Sequence, residues 1–381
     1  FNHAIENNKV VVLMKVFEKW YVWPYPIFEI SERNFNVFWD TLRASNFKNF
    51  SRLNYGVFLN VYNFRGRNEL IKLKFRRGYK EHYLFEYKIP YVNKNKTIGT
   101  NLKVELFQMR KFHYNTINNE LLYKEDGEMF LKDLRTSIEF QYKPGIHYTH
   151  FIKLENAKVN VPEIHKIENH FLPNNENQFQ YTSLEYRFNR DTRNSTSYPT
   201  FGSYDDISAE YLKSIGQGFG NITFKGKLER HMKINSRVAI GQSIKIKYST
   251  NKNLPYILNE SLGFDDYLRG YEYYVIDGEH FGISKTAIKY ALIPKKKLEM
   301  PFVKLEQFNK SFYSVYFSIF ADMGGVIENN ADESNSLTNK FLYSQGVSID
   351  YVTYYDKILR FEYSRNHLNE WGFFLHFSNP F

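Results

Sequence analysis

Cysteine is absent from the 381-residue chain, which excludes disulfide scaffolds, thiolate nucleophiles and cysteine metal sites and is compatible with an oxidising export route. Long apolar runs are missing too. No window approaches the ~18 consecutive apolar residues of a spanning helix, the longest candidates being short stretches such as Val10 to Met14. Helical membrane spanning is thereby excluded. Dense basic clusters are also lacking: the formal charge of +10, from 51 Lys and Arg against 41 Asp and Glu, is spread over pairs such as Arg76-Arg77, with Lys295-Lys296-Lys297 the longest run. A nucleic-acid surface needs a denser patch or a recognisable motif, so no nucleic-acid partner is expected. The excess reads instead as a solvated rim or as attraction to anionic headgroups. No signal peptide stands at Phe1, so the chain reads as mature, processed or a piece of a longer precursor.

What is present in excess is aromatic. The chain carries 35 Phe, 31 Tyr and 4 Trp, yet its mean hydropathy is −0.53. A soluble core would bury most of those rings, whereas a membrane barrel places them on its lipid face and at both interfaces around a polar lumen. The ordering of residues supports the barrel. Tyr83, Phe85, Tyr87, Ile89 and Tyr91 alternate with His82, Glu86 and Lys88, the period of a strand with one greasy and one wet face. Comparable runs fall near residues 53–63, 68–78, 97–110, 131–142, 146–155, 179–189, 204–213, 219–230, 237–249, 282–293, 311–322, 342–352, 356–364 and 371–381.

A first strand near 23–34, carrying Pro24 and Pro26, brings the prediction to sixteen antiparallel strands in an all-β transmembrane barrel spanning residues 23–381. Even parity places both termini on the periplasmic side. Residues 113–130, 156–178, 250–281 and 323–341 read as large loops. A soluble β-sandwich is the competing fold, with shorter strands and no loop of this length.

Catalytic chemistry finds little support. The tightest histidine pair, His147 and His150, has the wrong spacing for a helical zinc pair and reads as lumen or rim. Gly216, Gly218 and Gly220 read as a turn, with no helix to make them a phosphate loop. No nucleophile triad or carboxylate pair can be placed on a common surface. No enzyme activity, cofactor or metal is expected.

Two motifs carry specific content: Leu268-Arg269-Gly270-Tyr271 in the long loop before strand 12, and Phe320-Ala321-Asp322-Met323-Gly324 in the next strand but one, about fifty residues later. The first resembles the Val-Arg-Gly-Phe/Tyr loop motif of the BamA/TamA outer-membrane assembly superfamily, and the second its Phe-x-Asp-x-Gly strand motif. The resemblance implies that the loop folds back into the barrel and that Arg269 reaches Asp322 on the inner wall. A guanidinium in a partly dehydrated lumen needs such a carboxylate, and Gly270 permits the close approach. Asp191-Thr192-Arg193 with Pro199 and Gly202 is similar to a family turn. Lys289 departs from the pattern, standing where some members place an acidic residue that also meets the arginine.

The last strands are similar to the family's final pair. Trp371, Phe373, Leu375, Phe377 and Phe381 share one face, and the terminal aromatic resembles the signal by which the assembly machinery recognises a barrel. Phrases such as Gly270-Tyr271-Glu272-Tyr273-Tyr274-Val275-Ile276-Asp277-Gly278 look most like the Bacteroidetes branch, and residues 1–22 read as the tail of a periplasmic POTRA domain or an N-terminal extension.

The resemblance implies assembly of outer-membrane proteins through a lateral seam between first and last strands, with Pro24 and Pro26 on one side and Pro380 on the other. Missing ladder donors make such a seam easier to open. Implied partners are outer-membrane lipids and lipopolysaccharide, nascent outer-membrane proteins, and accessory lipoproteins or subunits of an envelope complex. A translocation pore or channel, and a structural barrel subunit of a larger complex, are the alternatives.

Overall fold

A computed structural model of the chain describes residues 2–6, 9–13, 20–125, 131–161, 171–299, 310–353 and 357–378. Among these described residues, sixteen strands form one antiparallel sheet in strict sequence order. They are β1 (Val22–Ile30), β2 (Leu53–Phe64), β3 (Glu69–Gly78), β4 (Lys80–Ile89), β5 (Ile98–Met109), β6 (Leu131–Tyr142), β7 (Tyr148–Asn160) and β8 (Gln178–Asp191). The second half comprises β9 (Gly202–Ser214), β10 (Gly220–Lys233), β11 (Val238–Ser249), β12 (His280–Glu299), β13 (Lys310–Ile327), β14 (Leu342–Thr353), β15 (Ile358–Asn366) and β16 (Trp371–Ser378). Each predicted run corresponds to one of these strands. Pro380 and Phe381 lie outside the described residues.

The strands are inside-out relative to a soluble core. On β14 the buried positions are Leu342, at the loop end, and then Ser344, Ser348 and Asp350, while Tyr343, Val347 and Ile349 are exposed. On β16, Trp371, Phe373 and Phe377 are exposed at 57%, 62% and 62%, whereas Phe374 is buried. Apolar outward and polar inward is the pattern of a wall facing hydrocarbon, where every backbone group must also find a partner within the sheet.

Loops and strand ends together supply the apolar packing that the wall lacks. Phe112, Val159, Phe171, Leu172 and Phe179 bury one another in one cluster, and Leu262, Leu268, Tyr271, Ile276, Val326, Leu337 and Leu342 form a second. Three differences from expectation appear here. Part of the loop predicted over 113–130 is a hairpin of Lys111–Ile117 and Glu120–Glu125. Strand β13 runs on to Ile327, and β12 and β13 extend to 20 and 18 residues, about twice what a tilted crossing needs. The predicted strand over 23–34 stops at Ile30, and an α-helix, α1 (Phe35–Ala44), follows.

That helix has a local cause. The Asn34 side chain accepts a hydrogen bond from the Val37 N–H at 3.0 Å, capping the first turn. Asn36, Phe38 and Leu42 then fall on one buried face.

Candidate functional site

The long loop over 250–279 enters the lumen and is pinned there by its arginine. Leu268 to Tyr271 form a tight turn in which the Tyr271 N–H donates to the Leu268 carbonyl at 3.1 Å. Gly270 sits third, at φ +83°, which a Cβ-bearing residue adopts only with strain. This turn presents Arg269 to β13. Its Nε donates to Asp322 Oδ2 at 2.7 Å, its terminal nitrogen bonds Asp322 Oδ1, and its backbone N–H reaches the same carboxylate at 3.3 Å. The guanidinium also lies 3.7 Å over the Phe320 ring. Asp322 is five residues inside the end of β13, about 17 Å down the wall at ~3.3 Å per residue.

Both partners are withdrawn from solvent, Arg269 to 6% and Asp322 to 1% exposure, so the pair is bidentate, stacked and desolvated. Neighbouring residues of the motif add fixed points. Leu268 is buried, the Tyr271 hydroxyl donates to the Tyr343 carbonyl at 3.0 Å, and Asn366 Nδ2 donates to the Gly270 carbonyl at 3.0 Å. Gly324 allows β13 to pair closely with β12, because a Cβ there would stand 2.3 Å from the Gly282 carbonyl oxygen. Lys289 does not join this network. Its ammonium donates to the Pro199 carbonyl at 3.0 Å and lies over the Tyr198 ring, tying down the turn after Asp191.

Above the wall the same loop is clamped from several sides. Asn119, in the hairpin tip, exchanges bonds with Val275 and accepts from the Leu337 N–H. Two carboxyl groups at this mouth are raised above the usual range, chiefly by burial: Asp277 to about 6 and Glu328 to about 7. Glu328 accepts from Asn259 Nδ2 at 2.7 Å.

The second part of the site is the seam. Among the described residues no ladder joins β1 to β16. The Tyr62 N–H donates to the Tyr21 carbonyl and Ser31 N–H to the Arg52 carbonyl, so odd-numbered residues of β1 bond to β2 and even-numbered ones face the seam. Pro24 and Pro26 therefore remove two donors from the seam edge itself.

The opposite edge, on β16, is met by α1. Leu375 N–H donates to Asn36 Oδ1 at 2.8 Å, and Asn36 Nδ2 donates to the Leu375 carbonyl at 3.3 Å. One side-chain amide thus does for Leu375 what a neighbouring strand would do. The Phe35 ring packs edge-on against Phe377 with centroids 5.3 Å apart. Just before the helix, Arg33 donates to the carbonyls of Gly263, Tyr273 and Tyr274, and Asn34 Nδ2 to that of Glu272. Helix, loop and final strand are one connected unit.

Sequence reasoning brought Arg269, Asp322, the prolines and β16 into view but missed α1, Arg33, Asn34 and Asn36. A signal was present: Asn34 followed by Phe35, Phe38 and Leu42 at helical spacing.

A family model described as the Omp85 superfamily domain matches residues 63–364. Among solved structures, BamA from Haemophilus ducreyi lacking POTRA domains 1-3 is similar at 16% identity and a TM-score of 0.61, over 86% of this chain and 67% of that one. CdiB from Escherichia coli is similar at 11% identity and a TM-score of 0.57, over 98% of this chain and 64% of that one. CdiB from Acinetobacter baumannii follows at 10% identity and 0.52, over 84% and 55%. The chain therefore spans between about half and two thirds of these proteins. No curated protein sequence matches. The fold, the inverted wall and the family match lead to one conclusion: this chain belongs to the Omp85 superfamily and is a β-barrel of the bacterial outer membrane.

Proposed function

We propose that the barrel assembles outer-membrane proteins by lending the edge of β16 to an incoming strand, with α1 withdrawing to expose it. The observation that carries this reading is the seam: β1 offers a proline-stripped edge, and among the described residues the outer edge of β16 is met by a helix side chain instead of a second ladder. Two hydrogen bonds and a ring contact are far easier to break than a full strand pairing, and the freed edge presents a row of backbone groups ready for β-augmentation. The short turns and both termini would lie in the periplasm, from which unfolded substrates arrive, and the long loops outside. Nascent outer-membrane proteins are the partners, with lipid and lipopolysaccharide around the wall. Accessory lipoproteins fit this role as further partners.

The test exploits the absence of native cysteine. Phe35→Cys with Phe377→Cys, oxidised in lipid vesicles, locks α1 on β16. Insertion of a radiolabelled outer-membrane protein should stop on oxidation and return with reductant; undiminished insertion by the locked form refutes the mechanism. A channel predicts otherwise. With the loop docked on Asp322, bilayer currents should be small, whereas a large, steady current that survives the lock would favour a pore.

A further inference from the structure

The lumen holds three side chains that neither the Arg269 anchor nor the seam uses: Glu272 of the loop, Glu362 of β15 and His376 of β16. One ligand atom of each lies within 4.8 Å of the others. The carboxylates are 1% and 0% exposed, and His376 is 15% exposed. Among the described residues, both oxygens of Glu272, Oε2 of Glu362 and Nε2 of His376 have no well-formed hydrogen bond, and only the backbone amides of Gly270 and Glu272 approach the Glu272 carboxylate. Buried polar atoms are seldom left so, and four converging on one point call for a ligand.

Spacing identifies it. His376 Nε2 stands 3.4 Å from Glu272 Oε1 and 3.8 Å from Glu362 Oε2. Ligands about 2.1 Å from a tetrahedral ion are separated by roughly 3.4 Å. The far side of the imidazole is oriented for this task, with Nδ1 3.5 Å from the Tyr267 hydroxyl and the two rings stacked at 5.5 Å. Among the described residues the nearby cations are engaged elsewhere. Arg269 is committed to Asp322, Arg360 donates to Asp350 at 2.7 Å, and the Lys285 ammonium lies 4.1 Å over the Tyr267 ring.

We propose that Glu272, Glu362 and His376 bind a divalent transition-metal ion of the zinc class, with water completing the shell. One imidazole and two carboxylates suit such an ion better than magnesium or calcium, which favour all-oxygen sites. The ion ties the lumen loop to the last two strands beside the Asn36 cap, independently of whether the barrel inserts proteins.

The purified barrel in lipid vesicles, stripped with chelator and titrated with Zn2+, should take up one ion, measured by elemental analysis after desalting. Glu272→Gln and His376→Asn should each weaken binding at least tenfold while heat-modifiable gel migration reports a folded barrel. A second readout is protease cleavage within residues 250–279. Saturation at 100 times the dissociation constant should slow loop release about 100-fold in the native protein and not in the variants. Stoichiometry near zero overturns the site, as does binding unchanged by both variants or lost instead on His147→Ala or His150→Ala. A shared proton between the two carboxyls would show as a loop tightened by Glu272→Gln with no response to Zn2+, which also overturns it.

Discussion

Arg269→Ala is the sharpest perturbation of the lumen. Asp322, at 1% exposure, would be left as a buried carboxylate beside Lys285 on the neighbouring strand. Breaking a buried pair by deleting one member costs about 3–5 kcal/mol, most of it the stranded charge. Loss of the guanidinium over Phe320, worth up to about 2 kcal/mol when desolvated, lies within that range. At about 1.4 kcal/mol per tenfold, loop docking should weaken by roughly two to three and a half powers of ten. Urea unfolding in vesicles, followed by tryptophan fluorescence, measures the global cost, and hydrogen exchange over residues 250–279 measures the local one. The double variant with Asp322→Ala should cost clearly less than the sum of the singles, because it removes both charges. As an internal standard, the pair Arg187–Asp206, whose arginine is 41% exposed, should be worth under about 1 kcal/mol. A cost for Arg269→Ala as small as that standard, or strict additivity in the double variant, would refute the anchor.

Three further outcomes follow from the same geometry. Gly270→Ala, at φ +83°, should cost about 1–2 kcal/mol of loop docking by backbone strain alone, whereas Gly324→Ala should disrupt the β12–β13 ladder, because its Cβ would meet the Gly282 oxygen at 2.3 Å; strand-resolved hydrogen exchange separates the two. The raised carboxyls, Asp277 at about 6 and Glu328 at about 7, take up protons on packing, so loop closure is strongest below about pH 4 and is lost as pH rises through 6 to 7. Exchange of the loop amides, corrected for intrinsic pH dependence, should show this slope, and Asp277→Asn with Glu328→Gln should lessen it. Asn36→Ala removes both side-chain bonds to β16, so the Leu375 amide should exchange at least tenfold faster while amides of β14 stay unchanged.

Much of the wall was legible because strand period is written locally. Ser344, Ser348 and Asp350 against Tyr343, Val347 and Ile349 is a pattern readable without coordinates, and it gives strand number and lumen face directly. The Arg269 and Asp322 motifs were legible for another reason, their resemblance to a family pattern. Helix α1 was hidden by length: ten residues carry too little periodicity to stand out between two strands. Strand β12 was read short because its far end passes through register shifts between Ala291 and Lys296, which break alternation.

By itself, then, the sequence determined an antiparallel barrel of sixteen strands, its polar interior and its greasy exterior, since each follows from neighbours two residues apart. Apart from Arg269 and Asp322, whose meeting the motif resemblance implied, tertiary structure alone decided what meets across the lumen. Glu272, Glu362 and His376 are separated by 90 and 14 residues, and Asn36 and Leu375 by 339, distances at which no local period carries information. Closing the sheet toward a ring brings the first and last elements side by side, and only there do a helix amide and a strand backbone, or a loop carboxylate and a strand imidazole, become neighbours.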